Sequence, residues 1–361
     1  MKFSALSRRA LFAAAAVTVG ALIAGCSGGS NSSMPTVTQS NSGPIVGAPP
    51  AGGERELARV TVNPNLHVTP VNNVAHALPV HGHAVFPIVW HGKPVNESCP
   101  GDSRCLIYHG GPVLFNTGSI NVFINPDNNE VGGFPNTCSS GSCPPAQWGF
   151  PGGFIGRYSG DAEMGHILDQ YVQPPGCCTR NDRYPYLGYI TMIDNTIKAD
   201  GTKANAASDA TATAELKTAE TAVGLVGSRY EYHLFYRQNQ AFCSNQVGGC
   251  YLVNPFAFCA FHGDQTIGVN DTIYSIEPWQ KIGGCEAPSQ KLQDDTSSTL
   301  SHELTESLTD PHLDAWFSAG GEEIGDLCRN SYSTISMTPG PITYNIQQEW
   351  INSKGACAYG P

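Results

Sequence analysis

His302, Glu303 and Glu306 are the residues of this chain whose types and spacing best suit chemistry. On a helix, positions i and i+4 share a face about one turn apart, so His302 and Glu306 can chelate one divalent ion. Glu303 projects from the same side, where it can act on a water bound to that ion. A tetrahedral catalytic site needs a third protein ligand and one open position. Glu323, its neighbour Glu322 and His312 are the downstream candidates for that third place. Zinc is the expected ion. Two carboxylates and one imidazole make a harder, more anionic site, however, which opens it to manganese or calcium. Asp326 can orient His302 through its other ring nitrogen.

A helix must carry this group, and the sequence predicts one over residues 296–309. Asp294, Asp295 and Thr296 are capping candidates, and Pro311 enforces a stop. Leu300, Leu304 and Leu308 form a stripe roughly opposite His302 and Glu306, so the leucines can pack inward while the polar face lines a cleft. A second, alanine-rich helix is expected over 206–225. Strands are expected at 84–90, 113–114 with 119–124, 187–193, 231–236, 251–261, 272–276 and 342–350. These elements predict one disulfide-stapled α+β body with a mixed sheet and an active-site helix. It spans residues 108–361, preceded by a segment, 54–107, whose packing the pattern leaves open.

The first residues concern location rather than chemistry. Lys2, Arg8 and Arg9 precede an apolar run too short to span a membrane as a mature helix, the pattern of a secretory signal over residues 1–25. Its end, Leu22-Ile23-Ala24-Gly25-Cys26, resembles a bacterial lipobox, which implies cleavage before Cys26 and a lipid on its thiol. Residues 26–53 are mostly Gly, Ser, Asn, Thr and Pro, a composition expected of a disordered tether. Removing Cys26 from the thirteen cysteines leaves an even set: Cys99, Cys105, Cys138, Cys143, Cys177, Cys178, Cys243, Cys250, Cys259, Cys285, Cys328 and Cys357. In an exported protein such a set reads as disulfides, with Cys99–Cys105, Cys138–Cys143 and Cys243–Cys250 able to close locally.

The chain has 19 basic and 30 acidic residues, a formal net charge of −11. Cleavage before Cys26 removes three basic residues and no acidic ones, leaving 16 against 30, or −14. So acidic a surface argues against nucleic acid as a partner and favours cations.

Two resemblances sharpen these expectations. The string His302, Glu303, Glu306 and Asp310 is similar to the zinc helix of thermolysin-like enzymes, with Glu306 where those have histidine. The resemblance implies a zincin-like body, a third ligand from a following segment such as Glu323, and Asp310 in a supporting place behind the ligands. His312 stands at the spacing of the last metzincin ligand, although Thr309 replaces the glycine of that motif. Separately, Tyr108-His109-Gly110-Gly111-Pro112, the block from Ser301 to Cys328 and the segment Tyr344 to Cys357 resemble the bacterial branch of the Exordium / phosphate-induced protein 1 family. That family's plant members are secreted and cell-wall-associated, with no settled enzymatic activity.

Two functions follow. The first is a surface-anchored, metal-dependent hydrolase, foremost a zinc metallopeptidase, with Glu303 as general base and a peptide or cell-wall substrate. The second is a non-catalytic, extracytoplasmic binding protein with a structural or vestigial metal, recognising glycan or protein through Phe134, Trp148, Phe150 and Phe154. In both, the chain is exported and held by its N-terminal lipid to a membrane at the bacterial surface or periplasm. Replacing Cys26 with serine should therefore move the protein from membrane to soluble fractions. Unchanged fractionation, with no lipid mass on the native N-terminus, would refute the anchor.

Overall fold

Runs of β-branched and aromatic residues alternate along the chain with helices, and that order decides the architecture. The computed structural model describes residues 66–69, 89–90, 99, 103–114, 117–126, 147–172, 184–254, 256–268, 270–338 and 342–360. All of them fall in one compact unit, residues 61–361. The signal, Cys26, the tether, Phe134, Cys138, Cys143, Cys177 and Cys178 lie outside the described residues.

Six strands form the main sheet: β1 (Leu66–Thr69), β2 (Gly118–Ile124), β3 (Tyr186–Asp194), β4 (Tyr230–Tyr236), β5 (Phe261–Ile267) and β6 (Asn270–Glu277). Their spatial order is β1-β3-β2-β4-β6-β5. The central pairs β3/β2, β2/β4 and β4/β6 are parallel, and the edge pairs β1/β3 and β6/β5 are antiparallel. Parallel strands need crossovers, and helices supply the first two. Helices α1 (Pro151–Tyr158) and α2 (Ala162–Val172) link β2 to β3, and α3 (Asp209–Val223) links β3 to β4. The last helix, α4 (Leu292–Thr309), follows β6.

The sheet is covered on both faces. Phe123, Phe235 and Ile273 share one core with Phe154, Tyr158, Ile167 and Leu168 of α1 and α2 and with the three α4 leucines. Val122, Leu234 and Ile276 share the other with Ala212, Leu216 and Ala219 of α3. This corrects the expected α+β, zincin-like body. The fold is a mixed α/β arrangement on an open sheet, with three disulfides among the described residues: Cys243–Cys250, Cys259–Cys285 and Cys328–Cys357. No disulfide joins Cys99 to Cys105.

Helix α1 has no expected counterpart because Pro151-Gly152-Gly153 reads as a loop. Proline at the first helical position instead pre-sets φ for a helix start. The chain enters it through Gly149 and Phe150, both left-handed at φ 66° and 65°. A Cβ on Gly149 would lie 2.5 Å from Gln293 Cα, so only glycine lets this turn sit against the start of α4. The single strand expected over 251–261 is instead two elements, a strand ending at Tyr251 and β5 beginning at Phe261.

Helix α4 begins at Leu292, earlier than expected, with Lys291 at its N-cap making no side-chain cap bond. Asp294 accepts a bond from the Ser289 hydroxyl (2.7 Å) and Asp295 one from the Ala287 amide (2.9 Å), so both carboxylates tie the incoming loop to the helix. They also sit in the first turn, where the helix dipole favours negative charge. The leucine stripe packs inward as anticipated. The polar face does not line a solvated cleft, because Ser297, Ser301, Glu303, Thr305, Glu306 and Ser307 are buried too. A two-stranded hairpin, β7 (Tyr332–Met337) and β8 (Ile342–Gln347), packs on α4, where the Gln347 backbone amide donates to Ser298 Oγ at 3.0 Å. Trp148, Phe150 and Phe154 are core residues, which removes them from any exposed binding loop.

Leu304 is 1 % exposed in the middle of the α4 core, so Leu304→Ala should cost about 2–5 kcal/mol in denaturant unfolding. Val226, at 46 % exposed, should lose no more than about 0.5 kcal/mol on the same change. Equal effects at the two positions would contradict this packing.

Candidate metal centre

Strand register builds one wall of the site. His262 on β5 pairs with Ser275 on β6, Ser275 with His233 on β4, and His233 with Asn121 on β2. Side chains alternate between faces along a strand, so this polar row lies on the side of Phe235 and Ile273, which faces α4. All four residues are buried. The opposite wall is α4, where Glu303 and Glu306, three residues apart, both reach His262.

The contacts centre on Glu306. Its Oε2 lies 3.5 Å from His262 Nδ1, and Glu303 Oε2 lies at the same distance from that nitrogen. Its Oε1 lies 3.2 Å from His302 Nε2 and accepts a hydrogen bond from the Asp326 backbone amide at 3.1 Å. The other nitrogen of His262, Nε2, is 3.4 Å from Glu323 Oε1 and 3.3 Å from the Asp310 carbonyl. His302 Nδ1 meets the side-chain amide of Gln347 at 2.8 Å. Gly325 makes the approach of this last segment possible, since a Cβ there would lie 2.6 Å from the His302 ring. Two groups are thereby geometrically able to chelate a divalent metal ion: His262 with Glu303 and Glu306, and His302 with Glu306 and Asp326.

The electrostatics are those of an acid cluster closed off from water. Glu231, Glu277, Glu303, Glu306, Glu323 and Glu349 are each at most 4 % exposed. Burial pushes Glu231 up to about 8 and raises Glu277, Glu323 and Glu349 well above the usual carboxylate range. Burial also raises Glu303 against the pull of His262 and His302. Glu306 goes the other way: the desolvation that would raise it is outweighed by His302 and His262, and its carboxyl is held low. Burial depresses His262 and His302, but their carboxylate neighbours outweigh it and keep both rings well above the ordinary histidine value. His233, 3.7 Å from Glu231, is pushed down by burial to about 3. Buried oxygens of Glu231, Glu277, Glu303 and Glu349 complete no hydrogen bond, although the Ser307 hydroxyl beside Glu231 acts to lower it.

The structure thus brings together His302, Glu303, Glu306 and Glu323. It does not bring in the other two candidates. Glu322 faces Arg329 at 3.7 Å with its side chain 42 % exposed, and His312 pairs with Asp264 at 3.2 Å. Asp310 caps the following turn, accepting the amides of Asp314 and Ala315 at 2.6 Å each, and burial pushes it up to about 7. At His302 Nδ1, where Asp326 was expected, the structure places Gln347. His109 stacks on Phe317, with ring centroids 3.5 Å apart.

Sequence reading missed His262, Gln347, Glu231, Glu277 and Glu349. Only His262 offered a signal, one residue past the expected strand, where alternation would have set it opposite Phe261.

The buried acids give the ion-free protein a defined pH dependence. Between the ordinary 4.5 and about 8, folded Glu231 holds a proton that the unfolded chain has released. Stability therefore falls as pH rises through this window. Glu231→Gln, which keeps the neutral shape, should reduce the difference between urea midpoints at pH 5 and pH 8 in chelator-treated protein. An undiminished difference would show that Glu231 is not a source of it.

No family model, curated protein or solved structure matches this chain, and the reading of its function rests on the arrangement of these side chains.

Proposed function

We propose that the protein is a divalent-cation-dependent hydrolase, exported and anchored by lipid at Cys26, whose cation is bound beside Glu306. One observation carries the reading: three buried glutamates and buried His262 lie in contact with half-buried His302, with Glu306 common to two chelating groups. Isolated buried carboxylates cost several kcal/mol each, and a doubly charged ion removes much of that cost. Zinc is the first expectation, with manganese favoured by the number of carboxylates. Bound there, such an ion supplies Lewis acidity toward a water and a substrate carbonyl.

The chain's own groups do the rest. Glu306 has one oxygen toward each histidine, so ion binding depends on it whichever side is occupied. Glu303 and Glu323 both have raised proton affinity, which suits a proton acceptor at this site. His302 and Asp326 are the more open members, with side chains 14 % and 26 % exposed, so substrate reaches the site from their side. A peptide bond is the first candidate for cleavage, and cell-wall material the next. The patches similar to the Exordium / phosphate-induced protein 1 family support an extracytoplasmic setting.

Deep burial of His262, Glu303 and Glu323 favours a second reading, a structural ion in a non-catalytic surface protein. Metal analysis of the purified mature protein separates the possibilities. We expect near-stoichiometric metal, its loss in Glu306→Ala, and chelator-sensitive hydrolysis within a panel of peptides and peptidoglycan fragments. Metal that stabilises the fold without any hydrolysis would leave the structural reading, and absence of metal would end both.

A further inference from the structure

We infer that the cation occupies the His262 side of Glu306, held by His262 Nδ1, Glu303 and Glu306 Oε2, and that His302 is a positioning residue that orients Glu306. The inference rests on the cation site proposed above and says which of its two histidines is the ligand.

Three geometric facts point this way. First, His262 Nδ1 stands 3.5 Å from both carboxylate oxygens. Good N–H···O bonds run at about 2.7–3.2 Å. Tetrahedral ligands with bonds of about 2.1 Å, by contrast, lie about 3.4 Å from one another. The buried Glu303 Oε2 completes no hydrogen bond, so nothing competes for it.

Second, the far side of His262 is arranged as ligating histidines require. Its Nε2 faces the Asp310 carbonyl at 3.3 Å and Glu323 Oε1 at 3.4 Å, both acceptors. A proton held on Nε2 leaves the Nδ1 lone pair directed at Glu303 and Glu306.

Third, His302 is committed elsewhere. The Gln347 side-chain nitrogen donates to the Gly325 carbonyl at 2.8 Å and lies 2.8 Å from His302 Nδ1. An amide nitrogen cannot accept, so Nδ1 accepts from it and the ring's hydrogen sits on Nε2. Turning the amide over would set its oxygen against the Gly325 carbonyl. A second proton, on Nδ1, would still leave Nε2 protonated. In either state Nε2 donates to Glu306 Oε1, at 3.2 Å, and has no lone pair for an ion. With the Asp326 amide, Oε1 then has two donors, which aims Oε2 at His262. The histidine that leads the motif thus acts through Glu306, and the histidine that binds the ion comes from a strand forty residues upstream.

Chelator-treated protein would be titrated with zinc, and the loaded wild type examined by X-ray absorption. We expect one equivalent and the scattering of a single imidazole. His262→Ala should weaken binding at least 100-fold. His302→Gln, which retains an N–H donor for Glu306, should stay within about 10-fold at full stoichiometry, as suits a residue behind the ligands. Two imidazoles in the wild-type spectrum would overturn the assignment whatever the variants do. Two equivalents of zinc, or loss of the ion from His302→Gln but not from His262→Ala, would overturn it as well. A wild type that binds no zinc or manganese would instead overturn the cation site on which the assignment depends.

Discussion

Helix α4 is enclosed on all sides, by the sheet, the β7–β8 hairpin and helices α1 and α2, and it carries polar side chains on its buried face. Three of its threonine hydroxyls find partners within the helix. Thr305 donates to the Ser301 carbonyl at 2.6 Å, Thr309 to that of Thr305 at 3.0 Å, and Thr299 to that of Asp295 at 3.1 Å. Glu306 meets His302 within the helix, but its Oε2 and that of Glu303 face His262 on β5 instead. An uncompensated buried carboxylate costs several kcal/mol, so partners must be brought by other parts of the chain. The placing of β5, of the segment from Glu323 to Asp326 and of the end of β8 answers that one requirement.

Two of the three disulfides among the described residues act on the same segments. Cys259, three residues before His262, is bonded to Cys285 in the loop that leads to α4. Cys328, two residues after Asp326, is bonded to Cys357 in the closing strand pair. Each bridge removes freedom from the unfolded chain and holds a partner of Glu306 near α4. Register completes the arrangement. A slip of one residue in β5 would turn Phe261 or Gly263 toward α4 in place of His262.

What was legible in the sequence follows from the range of the interactions involved. The shared face of His302, Glu303 and Glu306 is set by helical geometry alone, and so is the leucine stripe opposite. Strands β2, β3, β4 and β6 were visible because their apolar alternation is local. The start of α4 was not, because Asp294 and Asp295 act on the preceding loop rather than as caps. Helix α1 was hidden by a Pro-Gly-Gly start, and with it the crossover that makes the sheet centre parallel. The choice of Glu323 over Glu322 depends on a turn at Ser318, whose hydroxyl accepts the amides of Gly320 and Glu322 at 3.1 Å each. His262 meets α4 only through pairing across the sheet, which no local pattern encodes.

The same burial links folding to the proposed chemistry. Glu231 and Glu277 on the sheet and Glu349 beyond β8 surround the inner side of Glu303 and Glu306, all with raised proton affinity. Without a cation, this region can be neutral only by holding protons, and each proton ties its stability to pH. A divalent ion beside Glu306 would supply the missing charge and release protons as it bound. The free energy that makes the empty cluster costly to bury is then the source of its affinity for the ion. A site in solvent, where carboxylates are already hydrated, would gain far less from the same ligands.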